Sequence, residues 1–308
     1  MNEPKNCNLL FLIGISPRSG TNFLYRQLIL HPDINQSNIK GEDRTINHSN
    51  LLINYATTVG KNQPSRWGNS TKDLEKNLGN ALREYFLSSV KKSKYAILKT
   101  PLTDGIINIP VLFEDYKIIF LVRDGRNIIE SYSRSFDTSF MGTLVRVTQH
   151  AKKMQLFLES VSNDKFHVVK YENLLTNFNS EITDLLKFLD LPVENYPFDQ
   201  AKNMGVIGSS TFTGNSTSPT WKKEVEKNDT FTPNSRSKDW PKYKHILFNY
   251  YAGHLFKKWG YILQYSPRNI TYFFVSISGF ILYHFHRIRL NGKTIIQSIQ
   301  LLLKTLLK

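Results

Sequence analysis

Cysteine is almost missing: Cys7 stands alone in 308 residues. A lone thiol excludes an internal disulfide framework and any zinc site built on several cysteines, and it points to a reducing compartment, the cytoplasm. The histidines are scattered without the spacing of metal ligands, so no metal is expected. Acidic residues are short of basic ones, 25 against 40, which leaves a formal net charge of +15. That imbalance favours anionic partners: nucleotides, sulfated or phosphorylated substrates, or an acidic membrane surface. Nucleic acid would also satisfy the charge, but no reader motif accompanies it, and it is not expected as a partner. The start, Met1–Cys7, has neither a basic leader nor a small-residue cleavage site, so it does not read as a signal peptide. The apolar run Ile270–Tyr283 falls short of the about 20 residues a comfortable membrane helix needs. Internal repeats are lacking as well.

What remains is an ordinary globular composition, 40% hydrophobic and 21% charged, in a chain long enough to bury a substantial core. Leu9–Ile15 is continuously apolar, as a strand covered on both faces should be. It passes through a short polar loop into Thr21–Leu30, where Phe23, Leu24 and Leu28 sit at helical spacing. Ala96–Leu98, Tyr116–Val122 and Phe166–Lys170 read as further strands, and helices are expected through Ile128 and Ile129 and over Phe178–Leu189. Strands alternating with helices predict an α/β fold in three layers, a mostly parallel central sheet flanked by helices. Ligands of such sheets sit at the carboxyl ends of the strands, and each polar loop noted here lies at one of those ends.

Two segments depart from this alternation. Met204–Asp239 is rich in Ser, Thr, Gly, Asn, Pro and Lys, and reads either as a lid or binding loop or as a disordered insert. A helix from about Tyr243 to Trp259 closes the globular part. The expected division is therefore a domain over residues 1–265 and an apolar, basic helical tail over 266–308. Within Asn291–Lys308, Ile295, Ile299, Leu302, Leu303 and Leu306 form one face and Lys293, Gln297, Gln300, Lys304 and Lys308 the other. Such a helix suits peripheral contact with an anionic membrane, and suits equally packing on its own domain.

The chemistry concentrates in two loops. A strand that runs through Ser16–Asn22 into a helix offers backbone N–H groups and the positive end of the helix to an anion. Gly20 lets the backbone approach closely, Ser19, Thr21 and Asn22 add side-chain donors, and Arg18 adds a fixed planar charge. A nucleotide-hydrolase P-loop is excluded: Gly14 and Gly20 are one residue too far apart, Thr21 stands in the place of the lysine, and no aspartate closes the strand ending in Leu121-Val122. The hexapeptide Pro17-Arg18-Ser19-Gly20-Thr21-Asn22 instead resembles the 5'-phosphosulfate loop of sulfotransferases that use 3'-phosphoadenosine-5'-phosphosulfate (PAPS). The second loop strengthens the resemblance. Arg123 follows the strand Tyr116–Val122, and Ser131 lies eight residues on, similar to that family's 3'-phosphate motif. By itself the Arg123-Asp124-Gly125-Arg126 turn would also suit an internal salt bridge.

The resemblance implies a P-loop-like sulfotransferase fold, PAPS as donor and PAP as product, and an acceptor hydroxyl or amine on a carbohydrate, lipid or small molecule. It implies that Arg18, Ser19, Gly20, Thr21 and Asn22 hold the 5'-phosphosulfate and that Arg123 and Ser131 hold the 3'-phosphate. Val169-Lys170-Tyr171-Glu172-Asn173-Leu174 is similar to a family segment whose tyrosine lies near the adenine, here Tyr171. Arg236, Ser237 and Lys238 fall where the family has a basic, cofactor-covering loop that ends in tryptophan. The histidine that many cytosolic members carry after Lys-Thr is absent, since Lys99-Thr100 is followed by Pro101. Gly41-Glu42-Asp43-Arg44-Thr45 instead resembles the Gly-Glu-Glu-Thr-Arg of a branch that includes tyrosylprotein and some carbohydrate enzymes. That makes Glu42 the expected base, with Asp43 and His48 as alternates, and Arg18 and Lys99 the expected cationic helpers. The competing reading is a catalytically inactive protein that binds PAP or another nucleotide, or a membrane surface.

Overall fold

The computed structural model describes residues 7–63, 70–207, 224–225, 235–265, 283 and 285–288. These fall into two compact units. The first takes in the described parts of 1–123, 150–213 and 219–231, and the second those of 124–149 and 232–308.

The first unit is built on a five-stranded, wholly parallel sheet. In chain order its elements are β1 (Asn8–Gly14), α1 (Thr21–Leu28), β2 (Ile34–Gln36), α2 (Asn50–Asn62), α3 (Thr71–Leu87), β3 (Tyr95–Thr100), α4 (Ile109–Leu112) and β4 (Tyr116–Val122). After the second unit's first segment come β5 (Phe166–Lys170), α7 (Tyr171–Thr176), α8 (Phe178–Phe188) and α9 (Phe198–Asn203). Two short strands, β6 (Val206–Ile207) and β7 (Glu224–Val225), pair antiparallel apart from the main sheet. In chain order α5 (Gly125–Phe136) and α6 (Phe140–Ser160) lie between β4 and β5.

The strand order is β2-β3-β1-β4-β5. β1 lies at the centre, paired with β3 and β4, and both its faces are covered, which is why its sequence is continuously apolar rather than alternating. Leu10 and Leu12 join Phe23, Leu24 and Leu28 of α1 and Ile182, Leu185 and Leu186 of α8 in one core. On the opposite face Phe11 lies tilted at 5.7 Å against Phe113, which meets Phe86 of α3, while Phe120 meets Phe157 of α6 at 5.5 Å. The expected three layers are therefore present. The order also sets β3 and β4 on opposite sides of β1, so the chain leaves β1 and β4 in different directions, the arrangement that opens a crevice at the strand ends.

Four strands fall where the apolar runs predict them. β2 does not: Ile34-Asn35-Gln36 is a three-residue edge strand with one apolar side chain. The second unit holds α5, the start of α6, α10 (Lys242–Phe248), a π-turn over Asn249–Gly253 and α11 (His254–Lys258). The helix expected over Tyr243–Trp259 is thus present and continuous, widened in its middle by the π-turn. Gly253 ends that turn with Leu263 against it. Most of Met204–Asp239 and of the tail 266–308, including the amphipathic stretch Asn291–Lys308, lies outside the described residues. Of the tail, Tyr283 stacks face to face on Tyr251 at 4.0 Å. No helix among the described residues is long and apolar enough to cross a membrane.

Candidate active site

In the first unit the loop after β1 is shaped by its own serines. Ser16 N–H donates to Ser19 Oγ at 3.0 Å, and the Ser19 N–H and hydroxyl both return to the carbonyl of Ser16. Ser19 is fully buried, so its hydroxyl holds the turn and points inward. The turn forces two left-handed residues, Arg18 at φ 78° and Gly20 at φ 100°. Gly20 then begins α1 as its N-cap without a side-chain cap, so the first N–H groups of the helix keep no partner within it. A Cβ on Gly20 would lie 2.4 Å from the ring of Tyr171, so glycine is required both by the dihedral and by the ring.

Tyr171 is 2% exposed and supports this loop from beneath. Its ring meets Phe23 edge-on at 6.3 Å and lies 4.8 Å from the guanidinium of Arg123. Arg123, 4% exposed, donates from Nη1 to the carbonyl of Arg18 at 2.9 Å. The arginine of the second predicted motif therefore grips the backbone of the first motif at its left-handed residue. Three residues far apart in sequence, Arg18, Arg123 and Tyr171, meet there.

Lys99, the last residue but one of β3, is mostly buried and donates to Asn22 Oδ1. Its Nζ lies 5.5 Å from the ring of Tyr25. Burial pulls its pKa below the usual lysine value, and the negative charge of Glu42 pulls in the other direction. Glu42 is exposed and lies 4.0 Å from Arg44. Its neighbour Asp43 is 1% exposed; its N–H donates to the carbonyl of Lys99 at 2.7 Å, which fastens the loop to the end of β3. Asp43 Oδ1 accepts from the N–H and hydroxyl of Thr45, and Oδ2 has no partner among the described residues. Burial raises the Asp43 pKa against the hydrogen bonds from Thr45. His48 is exposed on a single 3₁₀ turn. Asn47 adds a tie no motif announces: its Oδ1 accepts from Thr100 Oγ1 at 3.1 Å and its Nδ2 donates to the carbonyl of Asp104 at 3.2 Å.

In the second unit Asp124 caps α5, accepting from Arg126 N–H at 2.9 Å, and pairs with the Arg126 guanidinium. The two arginines of the turn thus divide the two chemistries: Arg126 makes the internal salt bridge, and Arg123 is directed to Arg18. Ser131, 1% exposed, accepts from Arg236 Nη1 at 2.8 Å. Ser237 donates to Asn127 Oδ1 from its N–H and its hydroxyl, and Lys238 is exposed. The structure thus places Arg236 and Ser237 against the helix that carries Ser131. Asn127 and Glu130, which complete this contact, carry no motif; their signal is the spacing of three and four residues that puts them on one face with Ser131. Among the described residues no group of three or more His, Cys, Asp or Glu side chains is arranged to hold a metal.

A sequence model described as the Sulfotransferase family matches residues 10–195. A protein-tyrosine sulfotransferase of Drosophila melanogaster is 28% identical over 196 residues, 59% of this chain and 38% of the fly protein, so the match spans well under half of that relative. The sulfotransferase domain of the Synechococcus PCC 7002 olefin synthase superposes over 90% of this chain and 96% of its own, at 17% identity and a TM-score of 0.46. A mouse sulfotransferase solved in complex with PAP covers 92% of this chain and 90% of its own, at 14% identity and a TM-score of 0.43.

Proposed function

Because this chain belongs to the sulfotransferase family, we propose that it transfers a sulfuryl group from PAPS to a hydroxyl or amine of an acceptor and releases PAP. The observation that carries the reading is the bond from Arg123 to the carbonyl of Arg18, which joins the two predicted phosphate motifs. The left-handed turn at Gly20 and the uncapped start of α1 suit a phosphosulfate, and Arg18, Thr21 and Asn22 supply its further contacts. Within the second unit Ser131, Arg236, Ser237 and Lys238 offer the donor set for a 3'-phosphate, in which a guanidinium fork and hydroxyls match a dianion.

Sulfuryl transfer resembles phosphoryl transfer in having a loose, in-line transition state, so positioning and charge neutralisation do most of the work. When bound, the donor supplies an activated sulfuryl group and leaves as a bisphosphate. Glu42 takes the proton of the acceptor; its exposure lets a substrate reach it, and Asp43, turned inward onto Thr45, fixes the loop that presents it. Arg18 stays cationic and neutralises charge at the leaving oxygen without giving up a proton. Lys99, held by Asn22, assists at the same centre. The acceptor is a carbohydrate, lipid or small molecule, and the fly relative adds the phenol of a protein tyrosine to the classes to be tested. A cytoplasmic location is supported by cysteine being limited to one buried residue, Cys7. Membrane contact through residues 266–308 is checked by co-sedimentation of the full chain with anionic vesicles.

Transfer of labelled sulfate from PAPS across a panel of alcohols, sugars, amines and tyrosine peptides tests the reading. Turnover on at least one acceptor, lost in Arg123→Ala, is the expected result. PAP binding with no turnover on any acceptor would favour the inactive nucleotide-binding protein, and unchanged PAP binding in Arg123→Ala would overturn the donor assignment.

A further inference from the structure

One face of α5 presents Asn127, Glu130 and Ser131, and all three are engaged by the segment Ser235–Trp240. Ser237 occupies Asn127, and Arg236 bonds to Ser131. Glu130 takes the last position: Trp240 Nε1 donates to its Oε2 at 2.7 Å. The other carboxylate oxygen accepts from Arg134 Nε at 2.5 Å, one helical turn on, which orients the group. The Trp240 ring is 7% exposed, edge-on to Phe140 at 5.3 Å and to His245 at 5.4 Å. A buried indole N–H must find an acceptor, and an ionised one makes the stronger bond. The segment is therefore pinned at Ser237 and again at Trp240, with turns from Lys238 N to Ser235 O and from Trp240 N to Ser237 O between. Nothing in the proposed chemistry uses Glu130, yet it holds the end of the segment that carries Arg236.

We infer that Glu130 is a positioning residue for a 3'-phosphate. By anchoring Trp240 it keeps Arg236 beside Ser131, and so sets the chain's preference for a nucleotide with a 3'-phosphate over one without. This rests on the proposal that Arg236 and Ser131 meet that phosphate, and extends it to a side chain that never touches the ligand.

The test is the ratio of dissociation constants for adenosine 5'-monophosphate and PAP, measured by calorimetry on the full chain. Glu130→Ala should lower that preference by roughly tenfold or more, the scale of a hydrogen bond to a charged group, with binding of the monophosphate unchanged. Trp240→Phe keeps an aromatic ring, smaller than the indole, and removes the N–H, so it should lower the preference similarly, and the double variant should add little to either single one. Glu130→Gln keeps an oxygen for the indole and should recover most of the preference. A purely structural role would weaken both nucleotides together, and a preference left intact in folded Glu130→Ala and Trp240→Phe would overturn the inference. If Glu130→Ala does not fold, Trp240→Phe and Glu130→Gln carry the comparison. Absence of any PAP preference in the unaltered chain would overturn the donor reading itself, and the inference with it.

Discussion

Gly20 and Gly41 form a matched pair in which one backbone strain is present twice and one steric contact only once. Both lie in the left-handed region, at φ 100° and 85°. Alanine at either position should cost about 1–2 kcal/mol for the dihedral alone. At Gly41 no described heavy atom lies within 4 Å of the added Cβ, so nothing further is expected. At Gly20 the Cβ would stand 2.4 and 2.5 Å from two carbons of the Tyr171 ring. That ring has nowhere to retreat, being 2% exposed and packed between Phe23 and the Arg123 guanidinium. Overpacking of this kind adds about 1–3 kcal/mol, so Gly20→Ala should lose about 2–5 kcal/mol in total. Urea unfolding followed by circular dichroism reads the two costs, and PAP titration reads the consequence. Gly20→Ala should bind PAP weakly because the loop must move off the ring, whereas Gly41→Ala should bind it normally. Equal stability loss in the two variants, or normal PAP binding in Gly20→Ala, would refute the account of Tyr171 as the floor of the phosphate loop.

Three further outcomes follow from the site. Glu42→Gln should lower kcat by at least 10²-fold, the usual scale of general-base catalysis, with PAP affinity unchanged; turnover intact at saturating PAPS would remove Glu42 as the base. Asp43 has a raised folded pKa, so the native state holds its proton more tightly than the unfolded chain, and this contribution to stability is present at low pH and lost as pH rises through that pKa. Asp43→Asn should therefore be more stable than the parent at pH 7, with the gain vanishing below the ordinary aspartate range, as read from thermal midpoints at several pH values. Lys99 is the mirror case: its folded pKa is lowered, so its contribution is present above the ordinary lysine pKa and lost as pH falls. Lys99→Met should relieve a buried charge at neutral pH while lowering kcat, and a gain that grew toward pH 10 would contradict the sign.

The parts of this molecule that were legible in the sequence are those in which one short segment meets a demand alone. β1 and β4 are buried on both faces, so their residues must be apolar throughout, and the run is visible without knowing what covers it. The turn after β1 needs small, polar and left-handed residues in fixed order, and Ser16–Gly20 carries that order. β2 is hidden for the opposite reason: a three-residue edge strand is made by its pairing with β3, and Ile34-Asn35-Gln36 has no pattern of its own. α3 did have a local signal, since Ser70 accepts from Asp73 N–H and the two side chains bond as a capping pair, but it sits in a stretch without functional motifs. The site residues divide in the same manner. Arg123 and Ser131 stand in a readable spacing, but that Arg123 would be spent on the carbonyl of Arg18, with Arg126 left to neutralise Asp124, depends on which guanidinium the fold brings to that carbonyl. Tyr171 was legible as a motif residue, and its position beneath Gly20 was not, because the contact joins the first and last strands of the sheet in sequence order. Asn47, Asn127 and Glu130 take their roles from partners more than fifty residues away, and the helical spacing of Asn127 and Glu130 with Ser131 marks a face without naming what meets it. A residue that touches ligand is constrained by the ligand's chemistry and repeats across a family; a residue that positions it is constrained by one fold's particular neighbours, and only the folded chain names them.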